Sequence, residues 1–83
     1  MKLKYFAWVR ERVGMAEEDV DLPANAATVG DVIAWLKTRG PEFEHAFEHS
    51  DAIRAAIDME HTEHSAPVGQ ARELAFFPPV TGG

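Results

Sequence analysis

Thr28-Val29-Gly30-Asp31-Val32-Ile33-Ala34-Trp35-Leu36-Lys37-Thr38-Arg39-Gly40-Pro41 carries a helix with both ends marked. The Thr28 hydroxyl is placed to accept from an orphan N–H of the first turn, and Asp31 adds a favourable early acid. Val29, Val32, Ile33 and Leu36 recur at helical spacing and form one apolar stripe, with Ala34, Lys37 and Thr38 largely off it. Gly40 followed by Pro41 stops the helix. Such a helix needs a partner surface for its stripe, and the flanking sequence supplies strands.

On the N-terminal side, residues 2 to 9 alternate. Leu3, Tyr5, Ala7 and Val9 fall on one face, and Lys2, Lys4, Phe6 and Trp8 on the other, the period of a strand. The Arg10–Gly14 stretch reads as a turn, and a second strand runs from about Glu17 to Leu22, ended by Pro23. On the C-terminal side, Phe43, Ala46 and Phe47 have helical spacing, so residues 41 to 50 read as a short helix or helical turn. Ile53 to Ile57 reads as a third strand. Any fourth strand within Asp58 to His64 is short, polar and at an edge. Pro67, Val68 and Gly69 mark a turn before a final strand, Glu73 to Phe77, with Leu74 and Phe76 inward and Glu73, Ala75 and Phe77 outward. Strand, strand, helix, strand, strand is an α+β class with a mixed sheet packed on one main helix. The ubiquitin-like β-grasp is its natural arrangement when the first and last strands share the sheet. Residues 1–77 form the expected domain and 78–83 an extended tail.

The 83 residues leave room for one modest core. No cysteine is present, so neither a disulfide nor a thiolate metal site supplements it. Apolar runs are far too short for a membrane span and the N-terminus lacks a signal-peptide core, so the chain reads as cytoplasmic. With 14 acidic and 8 basic residues the formal charge is −6. That argues against an electrostatic nucleic-acid binder and suits docking on more basic protein surfaces.

The chain closes on Phe76-Phe77-Pro78-Pro79-Val80-Thr81-Gly82-Gly83. Pro78 and Pro79 stiffen an extended exit. Thr81 adds little bulk, and Gly82 and Gly83 lack Cβ, so the end could thread a channel too narrow for other residues. The expected functional group is the terminal carboxylate of Gly83.

The run Ala75 to Gly83 resembles the C-terminus of the small, sulfur-carrier subunits of molybdopterin synthase, a β-grasp family. Tyr5-Phe6-Ala7-Trp8-Val9-Arg10-Glu11-Arg12-Val13-Gly14 is similar to the same family's opening. The resemblance spans the chain, with its specificity at the two ends. Departures are Gln70-Ala71-Arg72-Glu73 where the family often has Asp-Gly-Asp-Glu, Asp58 where Asn is common, and a more polar stretch Glu60 to His64.

The resemblance implies a subunit that is not an enzyme on its own, binds no cofactor and no metal, and carries covalent sulfur at Gly83. A separate activating enzyme, using ATP and Mg²⁺, adenylates the terminal glycine. A sulfur-donor protein, typically through a persulfide, converts it to a thiocarboxylate. The tail then enters the large synthase subunit, where its sulfur attacks cyclic pyranopterin monophosphate and two rounds build the molybdopterin dithiolene. The family assembly is a heterotetramer, with neither nucleic acid nor membrane as a partner. The alternation places Phe6 and Phe77 on the face away from the helix, so they form an exposed apolar patch at the tail's exit if the first and last strands are neighbours. The resemblance makes Phe6, Phe77 and His61 partner contacts, Arg10 a polar contact at the rim, and Pro78, Pro79, Val80, Thr81 and Gly82 the part that reaches the partner's active site.

Other readings belong beside these. Residues 41–50 are placed by one reading over Phe6 and Phe77. His45 and His49 lie at i, i+4 of a helical reading, without the Glu position or third ligand of a zinc motif. Glu17-Glu18-Asp19 reads as a solvated strand edge. Functionally, the alternatives are the thiamine-pathway sulfur carrier, a protein modifier joined to lysines through Gly83, and a non-covalent module with an incidental tail.

Overall fold

The computed structural model describes residues 1–79. Its elements are β1 (Lys2–Tyr5), α1 (Ala7–Val13), β2 (Glu17–Asp19), α2 (Val29–Leu36), α3 (Pro41–Ala46), a 3₁₀ turn (Ser50–Ala52), β3 (Arg54–Ile57), β4 (Glu60–Thr62) and β5 (Glu73–Phe77). The strands form one mixed sheet in the order β2-β1-β5-β3-β4. β1 and β5 run parallel at its centre and the other neighbours antiparallel. This is the ubiquitin-like β-grasp, with N- and C-terminal strands side by side as expected.

The helix that anchors the reading, α2, is capped as its sequence requires. The Thr28 hydroxyl accepts from the Asp31 N–H at 3.2 Å, and the Asp31 carboxylate accepts from the Thr28 N–H at 3.1 Å, closing a capping box. These backbone bonds hold the Asp31 carboxyl below the usual carboxylate range. Val29, Val32, Ile33 and Leu36 are all buried, so the stripe is the core face. The regular helix ends at Leu36, four residues before Gly40. Gly40 instead precedes α3, which opens with Pro41 at its first position.

The largest departure is at residues 6–13. The chain is a strand only to Tyr5; Ala7–Val13 is helix α1, and the expected turn at Arg10–Gly14 is its second half. Val9 and Val13, spaced i, i+4, are both buried, and that 3.6-residue period overrides the shorter alternation. Ala7 takes φ 52° to swing the chain out of the sheet. Gly14, at φ 93°, ends α1 with its N–H donated to the Arg10 carbonyl at 2.8 Å.

β2 is shorter than the expected Glu17–Leu22, because after Asp19 the chain leaves the sheet edge. Val20 keeps two bonds to Met1, its N–H donating to the Met1 carbonyl and its carbonyl accepting from the N-terminal ammonium, and Val20 and Leu22 pack partly buried against the core. The run Glu17-Glu18-Asp19 is not uniformly solvated. Glu18 lies opposite Leu3 on the core side of the edge, where its carboxylate meets Tyr5 and Arg39.

The core lies between one face of the sheet and the helices. Residues 41–50 belong to it, since Phe43 and Phe47 are buried against Tyr5, and Phe47 also packs edge-on to Phe76 at 5.2 Å. That segment therefore does not cover the outer face, and the main helix has two shorter companions. His45 and His49 do not share a helix face either, because α3 stops at Ala46. Both rings approach Glu48, at 3.5 and 3.8 Å. Among the described residues no group of three His, Cys, Asp or Glu side chains has metal-binding geometry, and no helix is long and apolar enough to cross a membrane.

The β3–β4 hairpin turns through Asp58 and Met59, both at positive φ. Asp58 holds the turn against β5 by accepting from the Arg72 and Glu73 N–H groups, each at 3.0 Å. Asp tolerates the left-handed region better than most residues.

Candidate docking face and tail exit

Pairing register decides which side chains share the open face of the sheet. Lys4 lies opposite Ala75, Arg54 opposite Phe77, and Ala56 opposite both Ala75 and His61. All of these therefore project away from the core, because Leu3, Tyr5, Leu74 and Phe76 alternate with them and are buried. Ala56 and Ala75 form a small-residue floor ringed by longer side chains.

Phe6 and Phe77 lie on neighbouring strands at the end of this face where β5 leaves the sheet. Tyr5 pairs with Phe76, and the Phe6 N–H continues the parallel ladder by donating to the Phe76 carbonyl at 3.0 Å. Phe6 is 47% exposed, and Phe77 is half-buried. The His61 ring tilts against Phe77 with centroids 5.1 Å apart. β5 ends at Phe77, and the partly buried Pro78 and Pro79 continue from it outside any regular element. The cluster is thus an exposed aromatic surface at the root of the tail. Val80, Thr81, Gly82 and Gly83 lie outside the described residues.

Arg10 stands apart from this cluster. Its N–H returns to the Phe6 carbonyl at 3.2 Å, so it sits one helical turn away, on α1. There it lines a separate hollow with Glu11, Gly14, Met15 and Ala16. The pairing brings Phe6, His61 and Phe77 to one end of the sheet and leaves Arg10 on a neighbouring surface.

A residue that the sequence reading passed over joins the cluster. Arg54, exposed on β3, lines a groove of ≈ 380 Å³ with Ala55, His61, Thr62, Glu63 and Phe77. Alternation alone put Arg54 on the face opposite Ala55. Its position beside Phe77 depends on the β3–β5 register, which no local pattern encodes.

A model of the ThiS family matches residues 3–83 of this sequence. The chain belongs to the ThiS family. Within that family it is similar to the molybdopterin synthase sulfur carrier subunit of Escherichia coli, at 31% identity over all of this chain and 99% of the relative. It is also similar to the crystal structure of SAMP1 from Haloferax volcanii, with 32% identity and a TM-score of 0.73 over 100% of this chain and 98% of that one. A second likeness is to the small archaeal modifier protein 1 of the same organism, at 29% identity and a TM-score of 0.72 over 96% of this chain and 97% of that one. The described residues place an aromatic cluster of Phe6, His61 and Phe77 where the last strand ends.

Proposed function

We propose that this chain is the sulfur carrier of a molybdopterin synthase, loaded at Gly83 and docked on a large subunit through Phe6, His61 and Phe77. The observation that carries this reading is the parallel β1–β5 pairing, which sets the exposed Phe6 on the strand beside the half-buried Phe77, where β5 runs into Pro78 and Pro79. An anchor at the root of a stiff, narrow tail fixes where the tail's tip falls in a partner's active site. The family membership and the full-length likeness to a sulfur carrier subunit support it.

In this reading Gly83 carries the chemistry on its main-chain carboxylate. A carboxylate is a poor acyl donor, because its charge repels a nucleophile and oxide does not leave. Attack of the carboxylate on the α-phosphate of ATP in an activating enzyme expels pyrophosphate and makes AMP the leaving group. The outer sulfur of a donor persulfide then displaces AMP to give an acyl disulfide, a second thiol cleaves its S–S bond and leaves as the disulfide with the donor, and the thiocarboxylate so released gives its sulfur to cyclic pyranopterin monophosphate in the large subunit. Hydrolysis of the remaining acyl link returns the carboxylate. Gly82 and Thr81 keep the entering segment thin, and Val80, Pro79 and Pro78 span the distance from the docking face. Arg10 contributes a polar contact at the rim. No metal or cofactor resident on this chain is required; ATP and Mg²⁺ belong to the activating enzyme and the stabilising groups to the partners.

Incubation with the activating enzyme, ATP and a sulfur donor is expected to replace one oxygen by sulfur at Gly83, read by intact mass and by fragmentation of the C-terminal peptide. If that product does not form with an enzyme proven active on a known carrier, the reading is wrong.

The likeness to small archaeal modifier protein 1 favours a second reading, in which Gly83 ends in an isopeptide bond to a lysine. Higher-mass adducts that survive reducing denaturation, and that disappear when Gly83 is removed, are its signature.

A further inference from the structure

Half of the eight Lys and Arg side chains are engaged by an acid or a ring among the described residues, and Arg54, one of the other four, stands at an informative place. Lys2 pairs with Glu17 at 3.4 Å and Lys4 with Glu73 at 3.2 Å, which neutralises the lysines of the open sheet face. Arg39 is held by Glu18, and Arg12 lies over the Trp8 ring. Among the described residues Arg54 makes no ion pair, although it is exposed on the same face, one strand from Phe77. Arg10, Lys37 and Arg72 also lack ion pairs among those residues, but none of them lines this groove. The groove combines Arg54 with the Phe77–His61 ring pair and the Thr62 hydroxyl; Glu63, its sole acid, pairs with neither Arg54 nor His61.

We infer that this groove receives a carboxylate side chain, an aspartate or glutamate, from the surface of the large synthase subunit, and that Arg54 sets which large subunit the carrier accepts. The partner's identity rests on the carrier reading above; the chemistry of the occupant rests on the groove. A guanidinium presents a planar fork that matches a carboxylate in two parallel hydrogen bonds, and the Phe77 ring beside it excludes water as the aromatic docks. On a chain of formal charge −6 Arg54 is opposite in sign to the whole, and within the groove Glu63 offsets its charge without pairing with it. The global field disfavours acidic surfaces at long range, so a carboxylate seated at Arg54 acts at contact, where it fixes register and rejects mismatched partners. Arg54 is a specificity residue in this account and touches no reacting atom.

The test measures affinity of the full-length carrier for the large subunit of the same organism, by calorimetry at two salt concentrations, with thiocarboxylate formation at Gly83 followed in parallel. Arg54→Ala is expected to weaken binding about tenfold and Arg54→Glu by roughly a hundredfold, both with a flatter salt dependence. Lys37→Glu, which makes the same charge change away from the groove, is expected to bind as wild type. One Asp→Lys or Glu→Lys change on the large subunit should restore binding to Arg54→Glu. Arg54 is exposed and Lys37 half-buried at the end of α2, and unfolding curves verify that the variants fold. If Arg54→Glu binds as wild type does, or if no acidic position on the large subunit restores it, the groove assignment is wrong while the carrier reading stands. If wild type neither binds the large subunit nor gains sulfur at Gly83, the carrier reading fails and this inference falls with it.

Discussion

Tyr5 buries its ring among Phe43, Phe47 and Phe76 and must still satisfy a hydroxyl. Glu18 supplies the acceptor at 2.7 Å, and Arg39 grips the same carboxylate through two nitrogens, at 2.7 and 2.9 Å. Arg39 in turn lies over the Phe43 and Trp35 rings, so one carboxylate ties the sheet edge to the α2–α3 connection. Burial, followed by the Glu18 hydrogen bond and charge, pushes the Tyr5 phenol far above its ordinary value and keeps it neutral. For Glu18, burial pushes the carboxyl up, but hydrogen bonds from Arg39 and Tyr5 and the Arg39 charge outweigh it, leaving it below its usual range. A carboxyl lowered in the folded state stabilises above its unfolded value, near pH 4.3, and that contribution fades as pH falls through the folded value. Glu18→Gln is therefore expected to cost about 1 kcal/mol at pH 7, with the gap to wild type closing below about pH 4. Urea unfolding at pH 7 and pH 3.5 measures both. None of this was legible from Glu17-Glu18-Asp19, because an acidic run looks solvated until a long-range cation appears.

At the scale of elements, α1 shows how a strand signal gives way. The alternation from Lys2 to Trp8 is real, but Val9 and Val13 reach the core only if the chain coils after Phe6. Two backbone positions carry that change, Ala7 at φ 52° and Gly14 at φ 93°. The first is unfavourable for alanine and the second is suited to glycine. Ala7→Gly is expected to stabilise the fold by about 0.5–1 kcal/mol, and Gly14→Ala to destabilise it by about 1 kcal/mol. Thermal unfolding of the two variants would show midpoints displaced in opposite directions. The α2 reading needed no such revision, since Thr28, Asp31 and the apolar stripe all act within the helix. Removing the Thr28 cap as Thr28→Ala is expected to cost about 1 kcal/mol by the same measurement.

Across the whole molecule, stability and proposed function reside in different segments. The core closes with Phe76, at 0% exposure and one residue before the end of β5. Deleting Gly82 and Gly83 is therefore expected to leave the unfolding midpoint unchanged while abolishing sulfur loading at Gly83. Calorimetry and intact mass on the same preparation separate the two effects. Loss of the fold on deletion would show that the tail is structural. The four histidines divide similarly. His61 tilts against Phe77, His64 holds the Ile53 carbonyl at 2.7 Å, and His45 and His49 flank Glu48 near the end of α3.

Periods and caps in the sequence determined α2, the edge character of β4, and the inward and outward residues of β5 up to its aromatic end at Phe77. These follow from interactions within a few residues, which a linear pattern records. Tertiary structure alone decided that Phe6 adjoins Phe77, that Arg54 shares their groove, and that Glu18 turns inward to Tyr5 and Arg39. Each of those depends on strand register or on a contact between distant segments, where shifting the pairing by one residue would send every side chain to the opposite face.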